Sequence, residues 1–153
     1  MKISDDKKGP SYPVFLPTWD RSLHYDPYVL IENPPQRGLS ADPKKPHLLP
    51  SGTKVTSLTP KFGTEVRGVQ LSSLSDAGKN ELSLLVAERG VAVFRDQDFV
   101  DLGPKALVEY GKYFGELHVH PVTGHPVGYP ELHVVYRGPE QPYLPAAPRW
   151  DSE

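Results

Sequence analysis

Two histidines separated by a single residue, His118 and His120, are the side chains of this sequence whose type and spacing best support chemistry. On an extended backbone, alternate side chains project to the same side, so both imidazoles could approach one ion or one ligand. Non-haem iron of the oxygenase type is held by two histidines and one carboxylate. An imidazole N–H can also donate to an anionic oxygen, and protonation strengthens that bond. The spacing alone leaves a metal site, an anion site and a loop histidine bonded to backbone all open.

The four other histidines offer weaker patterns. His125 precedes a proline-containing turn, and His133 falls on the opposite face of its predicted strand from both neighbours, so we assign each to a surface or edge position. His24 and His47 lie in a proline-rich stretch and have no partner within local reach. None of the four is predicted to have a functional role.

Carboxylates occur at two places where they could serve a site. The run 95–98, Arg-Asp-Gln-Asp, directly follows a predicted buried strand, and its spacing fits a turn in which aspartate side chains bond to nearby amides. We therefore assign this run a structural role. Asp151 and Glu153 stand at the end of the sequence. A metalloenzyme of a different class could combine His118 and His120 with either of these two carboxylates.

Short β-rich runs and two helical patterns must position these side chains. Ser75 can accept an orphan amide at a helix start, and Gly90 can close the same helix. Pro104 suits a first helical turn, and Gly115 can end that second helix. The predicted elements are strands at 55–58 and 65–71, a helix at 76–89, a strand at 91–94, a helix at 104–114 and a strand at 132–136. This order predicts an α+β fold rather than a parallel βαβ repeat.

The first 51 residues form a segment of different character. They have no lasting period of two or of 3.6, and X-Pro dipeptides interrupt them repeatedly. This pattern predicts a Pro-rich extended arm. Apolar side chains such as Phe15, Trp19 and Tyr25 are more numerous than a solvated linker needs, so we expect the arm to lie against the domain or a partner chain. The predicted organisation is an arm at 1–51, a domain at 52–137 and a divergent Pro-rich tail at 138–153.

Composition excludes several classes of function. The chain has 153 residues and a net charge of -2 with no sustained basic face, so nucleic acid is not an expected partner. The absence of cysteine excludes disulfides, thiolate nucleophiles and zinc–thiolate sites. No segment is apolar over the length of a membrane span, and the N-terminus lacks the apolar run of a signal peptide. We expect a cytoplasmic protein with no membrane partner.

Three stretches resemble one enzyme family. They are the run 94–99 (FRDQDF), the run 113–125 (YFGELHVHPVTGH) and the run 130–136 (PELHVVY). They are similar to the front half of the TauD/TfdA dioxygenases, which depend on Fe(II) and 2-oxoglutarate. The runs 16–20, 37–39 and 41–43 resemble the opening of the fungal sulfonate dioxygenases of that family. The implied fold is the N-terminal part of a double-stranded β-helix, or jelly roll, incomplete here.

The resemblance implies a reaction and a substrate pocket. In the family, hydroxylation of the carbon next to the sulfonate releases sulfite and an aldehyde, while 2-oxoglutarate gives succinate and CO2. The second histidine of the H-x-H-P segment, here His120, meets the sulfonate oxygens. Thr123 stands where the bacterial taurine enzymes carry a substrate-contacting tyrosine. The shorter side chain leaves more room, which suggests a sulfonate that differs from taurine or is bulkier.

The tail departs from the family pattern. The resemblance fades after residue 137, and only Trp150 matches the Trp-His-x-Asp motif that carries the first metal ligands. Asp151 and Glu153 occupy the two ligand positions of that motif, and the later arginine and histidine have no counterpart. We therefore expect no metal ligand and no catalytic residue, with neither Fe(II) nor 2-oxoglutarate bound.

These absences suggest a truncated sulfonate dioxygenase that is inactive alone. Its partners would be a small-molecule sulfonate in the complete family and either a second copy of the chain or a complete relative. The alternative is a non-catalytic interaction or regulatory protein derived from that family, which would use the arm and exposed sheet edges for pairing.

Overall fold

The computed structural model describes residues 11–18, 22–26, 29–30, 32–121 and 123–136. Within them, the chain forms a small mixed sheet, two helices and three single 3-10 turns. The strands are β1 (Lys54–Ser57), β2 (Thr64–Arg67) and β3 (Ala92–Phe94), the helices are α1 (Asp76–Arg89) and α2 (Phe99–Lys112), and the 3-10 turns are Pro13–Phe15, Arg37–Ser40 and Leu71–Ser73. No helix in these ranges is long and apolar enough to cross a membrane.

The sheet has the order β1-β2-β3. β1 pairs antiparallel with β2, and Val55 lies opposite Val66. β3 pairs parallel with β2, with Thr64 opposite Ala92, and α1 connects the two strands. The prediction of an α+β order did not anticipate this single parallel βαβ unit. The described fold is therefore mixed α/β, and the jelly roll stays a prediction.

β2 is shorter than the predicted strand because the backbone turns at Gly68. This glycine has a φ of +86°, a conformation that L side chains rarely adopt, and it ends the extended run after Arg67. The 3-10 turn Leu71–Ser73 follows. The alternation from 65 to 71 that predicted a longer strand thus continues across a turn.

α1 spans the predicted residues and has the predicted ends. The hydroxyl of Ser75 accepts the amide of Gly78 at 3.2 Å, and Gly90, with a φ of +72°, closes the helix. Arg89, in the last turn, connects the helix to the β1–β2 hairpin. Its guanidinium donates to three backbone carbonyls and one hydroxyl, which belong to Thr59, Pro60, Gly63 and Thr64. Four bonds from one planar group fix the hairpin against the helix end.

α2 begins irregularly and ends against α1. Gly103 interrupts its first turn with a φ of 79° and a ψ of 173°, so the regular helix starts at Pro104, as predicted. At the other end, the Tyr113 hydroxyl donates to the side chain of Asn80 and to the carbonyl of Asp76. The guanidinium carbon of Arg37 lies 4.5 Å from the centroid of the Tyr113 ring. Tyr113 therefore fixes the point from which the chain enters the histidine segment.

The core includes part of the arm. Leu48 is fully buried together with Val66, Val69 and Leu85. Burial of one such side chain contributes about 1.5–3 kcal/mol. The 3-10 turn Arg37–Ser40 also packs against α1. The described end of the arm is therefore an integral layer of the folded body, which confirms that the arm lies against the domain.

The prediction of a strand at 132–136 is wrong. These residues form no strand, and the amide of Val134 makes a single backbone bond, to Gly124 at 3.2 Å. A strand needs a continuous ladder of such bonds. The residues just before this segment form turns at Pro126 and Tyr129 instead of a second extended run.

Candidate functional site

Three histidines lie near one another after α2. His120 is half-buried, and its ring centroid lies 5.0 Å from that of His133 and 6.4 Å from that of His118. His118 and His133 are both exposed, as predicted for His133. The prediction of a surface position did not include the contact between the His133 ring and that of His120. The spacing from 120 to 133 carries no local signal for this contact, which the irregular turn at 126–131 creates.

The described residues do not form a metal centre. No group of three or more histidine, aspartate or glutamate side chains within them is arranged to hold an ion. The predicted positions of the ligand motif, Asp151 and Glu153, lie outside the described residues.

Thr123 has a buried hydroxyl with an unused hydrogen-bonding capacity. Its Oγ1 is shielded from solvent and has no hydrogen-bond partner among the described residues. A buried polar group left unsatisfied costs about 1–3 kcal/mol. Thr123 stands three residues after His120, so the two predicted substrate contacts belong to one short segment.

His125 connects the arm to this segment, which the prediction of an edge position without a role did not anticipate. The half-buried residue exchanges two backbone hydrogen bonds with Thr18, at 2.8 and 3.2 Å. Its Nε2 lies 3.2 Å from the Tyr25 hydroxyl. The apolar and aromatic content of the arm was the available signal that the arm docks, but it did not identify His125 as the docking point.

The run 95–98 has a structural role, but the side chain of Gln97 makes the stabilising hydrogen bonds rather than the two aspartates. The Gln97 side chain accepts the amide of Leu71 and donates to the carbonyls of Val69 and Arg95. Asp98 makes no side-chain cap bond to α2. The predicted aspartate turn bonds are therefore replaced by a glutamine that holds the chain after β2 against the chain after β3.

Glu65 on β2 carries the strongest electrostatic pairing near this run. Its carboxylate accepts from Arg95 at 2.8 Å and from Arg67 at 2.8 Å. These charged hydrogen bonds, that from Arg95 first, lower the pKa of Glu65, and desolvation opposes them. The pairing joins β2 to the residue that follows β3.

A cavity of about 590 Å³ lies beside the histidine segment but is not the anion site. Leu117 and Val119 line it, whereas His118 and His120 do not. Its charged lining is Lys112, Glu116 and Glu131, so carboxylates outnumber cations. An anion would meet repulsion there. The candidate site is thus the segment that carries His120 and Thr123.

Known proteins match this chain over most of its length. The family model of the taurine catabolism dioxygenase TauD, TfdA family matches residues 54–150. The match therefore continues past 137 into the predicted tail. The alpha-ketoglutarate-dependent sulfonate dioxygenase of Saccharomyces cerevisiae is 47% identical over 133 residues, which cover 84% of this chain and 32% of that relative.

Two proteins of Penicillium expansum are also similar. Alpha-ketoglutarate-dependent dioxygenase cnsP is 41% identical over 140 residues, covering 86% of this chain and 35% of the relative. Alpha-ketoglutarate-dependent dioxygenase cnsM is 44% identical over 135 residues, covering 85% and 36%. The chain spans about a third of the length of these curated relatives. The family model covers β1 through the histidine segment and beyond, so the chain belongs to the taurine catabolism dioxygenase TauD, TfdA family.

Proposed function

We propose that this chain is the sulfonate-recognition part of an iron(II)- and 2-oxoglutarate-dependent sulfonate dioxygenase. The observation that carries the proposal is the buried Thr123 hydroxyl, which has no partner among the described residues and lies three positions from half-buried His120. The similarity to the Saccharomyces cerevisiae sulfonate dioxygenase supports the choice of anion.

His120 and Thr123 would each donate one hydrogen bond to the sulfonate. A sulfonate presents anionic oxygens that only accept hydrogen bonds, so its partners must be donors. An imidazole N–H of His120 and the hydroxyl of Thr123 are such donors, and charge on the acceptor strengthens both bonds. Binding at two points orients the substrate as well as holding it. Such orientation is the main contribution of a pocket that presents one C–H bond for oxidation.

For the whole protein, we propose hydroxylation of the carbon that bears the sulfonate, with release of sulfite and an aldehyde. Iron and 2-oxoglutarate supply the oxidising power when they are bound. The described residues of this chain contribute anion recognition, and we expect no sulfonate-dependent succinate from the 153-residue chain alone. We also propose a cytoplasmic location.

Isothermal titration with ethanesulfonate tests the recognition role. We expect saturable binding by the wild-type chain and a loss of about tenfold or more in affinity for His120→Ala, because this change removes the hydrogen-bond donor to the anion. His24→Ala is the matched control, since this histidine is exposed in the arm and its Nδ1 lies 3.0 Å from the nearby carbonyl oxygen of Ser22. Equal affinity in all three proteins would refute the role of His120. A parallel assay for succinate tests the expected lack of turnover.

A non-catalytic interaction module is the second candidate, favoured by an open apolar cleft. The cleft, about 460 Å³ in volume, is lined by residues of α1, β3 and the chain around them, namely Leu71, Leu82, Ser83, Val86, Ala92, Phe94 and Phe114. β1, whose four residues are all exposed, adds an edge that could pair with another chain. Sedimentation of the purified chain with and without a complete relative would detect such an association.

A further inference from the structure

We propose that the N-terminal arm positions the substrate loop, here residues 123–126, through Thr18 and Tyr25. The inference rests on the proposed role of Thr123 in sulfonate binding and adds two residues, about 100 positions away in sequence, that hold the loop in place. Thr18 and Tyr25 both contact His125, two residues from Thr123. They would be positioning residues, because they act through the loop.

The backbone contact is a two-way bridge. The amide of Thr18 donates to the carbonyl of His125 at 2.8 Å, and the amide of His125 donates to the carbonyl of Thr18 at 3.2 Å. The Thr18 hydroxyl adds a third bond to the same carbonyl of His125 at 2.9 Å. A reciprocal pair of this kind fixes both the separation and the register of the two segments.

The side chains define how the His125 ring is held. Its Nδ1 lies 2.9 Å from the carbonyl of Pro126, which can only accept, so Nδ1 carries the proton. In the neutral ring Nε2 is then an acceptor, and the Tyr25 hydroxyl donates to it at 3.2 Å. Pro126 is fully buried beneath this arrangement. The Pro126 carbonyl thus sets the tautomer, and the Tyr25 hydroxyl bonds to the nitrogen that this tautomer leaves as an acceptor.

Gly124 shows how closely the arm approaches the loop. A Cβ at this position would lie 2.7 Å from the Cβ of Pro17 and 3.3 Å from the carbonyl oxygen of Thr18. Only a residue without a side chain permits this packing. On its other side, the carbonyl of Gly124 accepts the amide of Val134. The loop is therefore held between the arm and the segment 132–136.

The consequence falls on Thr123, the neighbour of Gly124. Its hydroxyl can meet a sulfonate oxygen only if the loop backbone has one orientation, since a displacement of an ångström removes a hydrogen bond. Between the described arm and this loop, Thr18 and Tyr25 supply the bonds that set this orientation. If the arm were only tethered to the body, its release would leave Thr123 unchanged.

The test uses the whole 153-residue chain, labelled with ¹⁵N, and two pairs of variants. Gly124→Ala should push the arm away, and Gly115→Ala is its control, because a Cβ at Gly115 would meet nothing within 4 Å. Tyr25→Phe removes only the donor to His125, and Tyr12→Phe is the matched control at an exposed tyrosine of the arm. The readouts are amide hydrogen exchange at Thr18 and His125, the amide shift of Thr123, and the affinity for ethanesulfonate.

We expect Gly124→Ala to raise exchange at Thr18 and His125 by about tenfold or more, since the bridge bonds open. The Thr123 amide should shift and ethanesulfonate should bind about three- to tenfold more weakly, because one donor is misplaced. Tyr25→Phe should change the same readouts in the same direction by a smaller factor. Both controls should match the wild type.

Several outcomes would overturn the proposal. Suppose that amide exchange at Thr18 becomes faster while the Thr123 amide shift and the affinity for ethanesulfonate stay unchanged. The arm would then be attached to the loop without positioning it. Unchanged exchange at Thr18 and His125 in both arm variants would show that these contacts do not hold the loop. Failure of the wild type to bind ethanesulfonate would count against the proposed function, and the response of the Thr123 amide would still decide the positioning claim. If Gly124→Ala fails to fold, Tyr25→Phe carries the same decision.

Discussion

The carboxylate of Glu81 accepts the backbone amide of Leu48 at 2.7 Å, and both residues are essentially buried, at 1% and 0% exposure. The same oxygen, Oε2, also accepts the amide of His47 at 2.8 Å. One acidic side chain of α1 thus satisfies two backbone donors of the arm and brings Leu48 into the core. The contact explains why residues before 52 belong to the folded body.

Glu81→Ala should destabilise the chain by about 2–4 kcal/mol, because the buried amide of Leu48 and the part-buried amide of His47 both lose their acceptor. Urea unfolding followed by far-ultraviolet circular dichroism measures the change. Glu109→Ala is the control, since its side chain is 65% exposed and its ion pair with Lys112 is long, at 3.9 Å. That substitution should stay within about 0.5 kcal/mol of the wild type. Equal losses in the two variants would contradict the role of Glu81.

Arg89→Lys should cost about 1–3 kcal/mol, because an ammonium cannot serve the carbonyls and hydroxyl that the planar guanidinium reaches together. The acceptors lie on both sides of the hairpin turn, at Thr59 and Thr64 among others. Thermal unfolding compares this variant with Arg67→Lys, whose half-exposed side chain pairs with Glu65 at the sheet surface. A loss at Arg89 no larger than that at Arg67 would contradict the account.

Tyr110→Phe should be neutral or stabilising at pH 7 and should flatten the loss of stability at high pH. Burial raises the pKa of Tyr110 to about 12, and its hydroxyl is buried with no partner among the described residues. Above the ordinary pKa of 10.0 the unfolded chain loses this proton first. Stability is therefore intact below pH 10 and falls as the pH rises toward 12.

Urea unfolding of Tyr110→Phe at pH 7 and in steps from pH 9 to about pH 11 tests this linkage. Tyr12→Phe, at an exposed tyrosine, controls for general alkaline unfolding. Parallel losses in the wild type and in Tyr110→Phe above pH 10 would show that Tyr110 is not the group responsible.

Thr123→Val should weaken ethanesulfonate binding by about three- to tenfold, because the hydroxyl donor to the anion is removed. The same change should leave the free energy of unfolding unaltered or raise it by up to about 1 kcal/mol, since the hydroxyl is buried without a partner. Calorimetric titration and urea unfolding give the two values. Thr56→Val, on exposed β1, is the control for both. A stability loss with unchanged affinity would indicate an ordinary structural hydroxyl.

The local signals in the sequence predicted the regular elements well. Ser75 and Gly90 bounded α1 at its observed ends because capping is encoded within a few residues. The two adjacent β-rich runs predicted β1 and β2, whereas their antiparallel direction is a finding of the structure. The parallel pairing of β2 with β3 was missed, because a strand of three residues carries no signal for the direction of its partner.

The contacts made over long sequence separations could not be predicted. His125 meets Thr18 and Tyr25 across about 100 residues, and Glu81 meets Leu48 across 33. No periodicity in the sequence predicts such pairs, because they depend on the direction that each turn gives to the chain. The long-range contact within the candidate site was likewise not predicted. His120 and Thr123 came from the family resemblance, whereas the packing of His133 on His120 arose from the structure alone.

The central claim, that His120 binds a sulfonate, is tested most directly by following the imidazole nitrogens of the ¹⁵N-labelled chain during titration with ethanesulfonate. We predict a saturable shift of the His120 ring resonances, no shift of the His24 ring, and a midpoint that equals the calorimetric dissociation constant. His120 resonances that stay fixed while ethanesulfonate saturates the chain, or an absence of any saturable change, would contradict the claim.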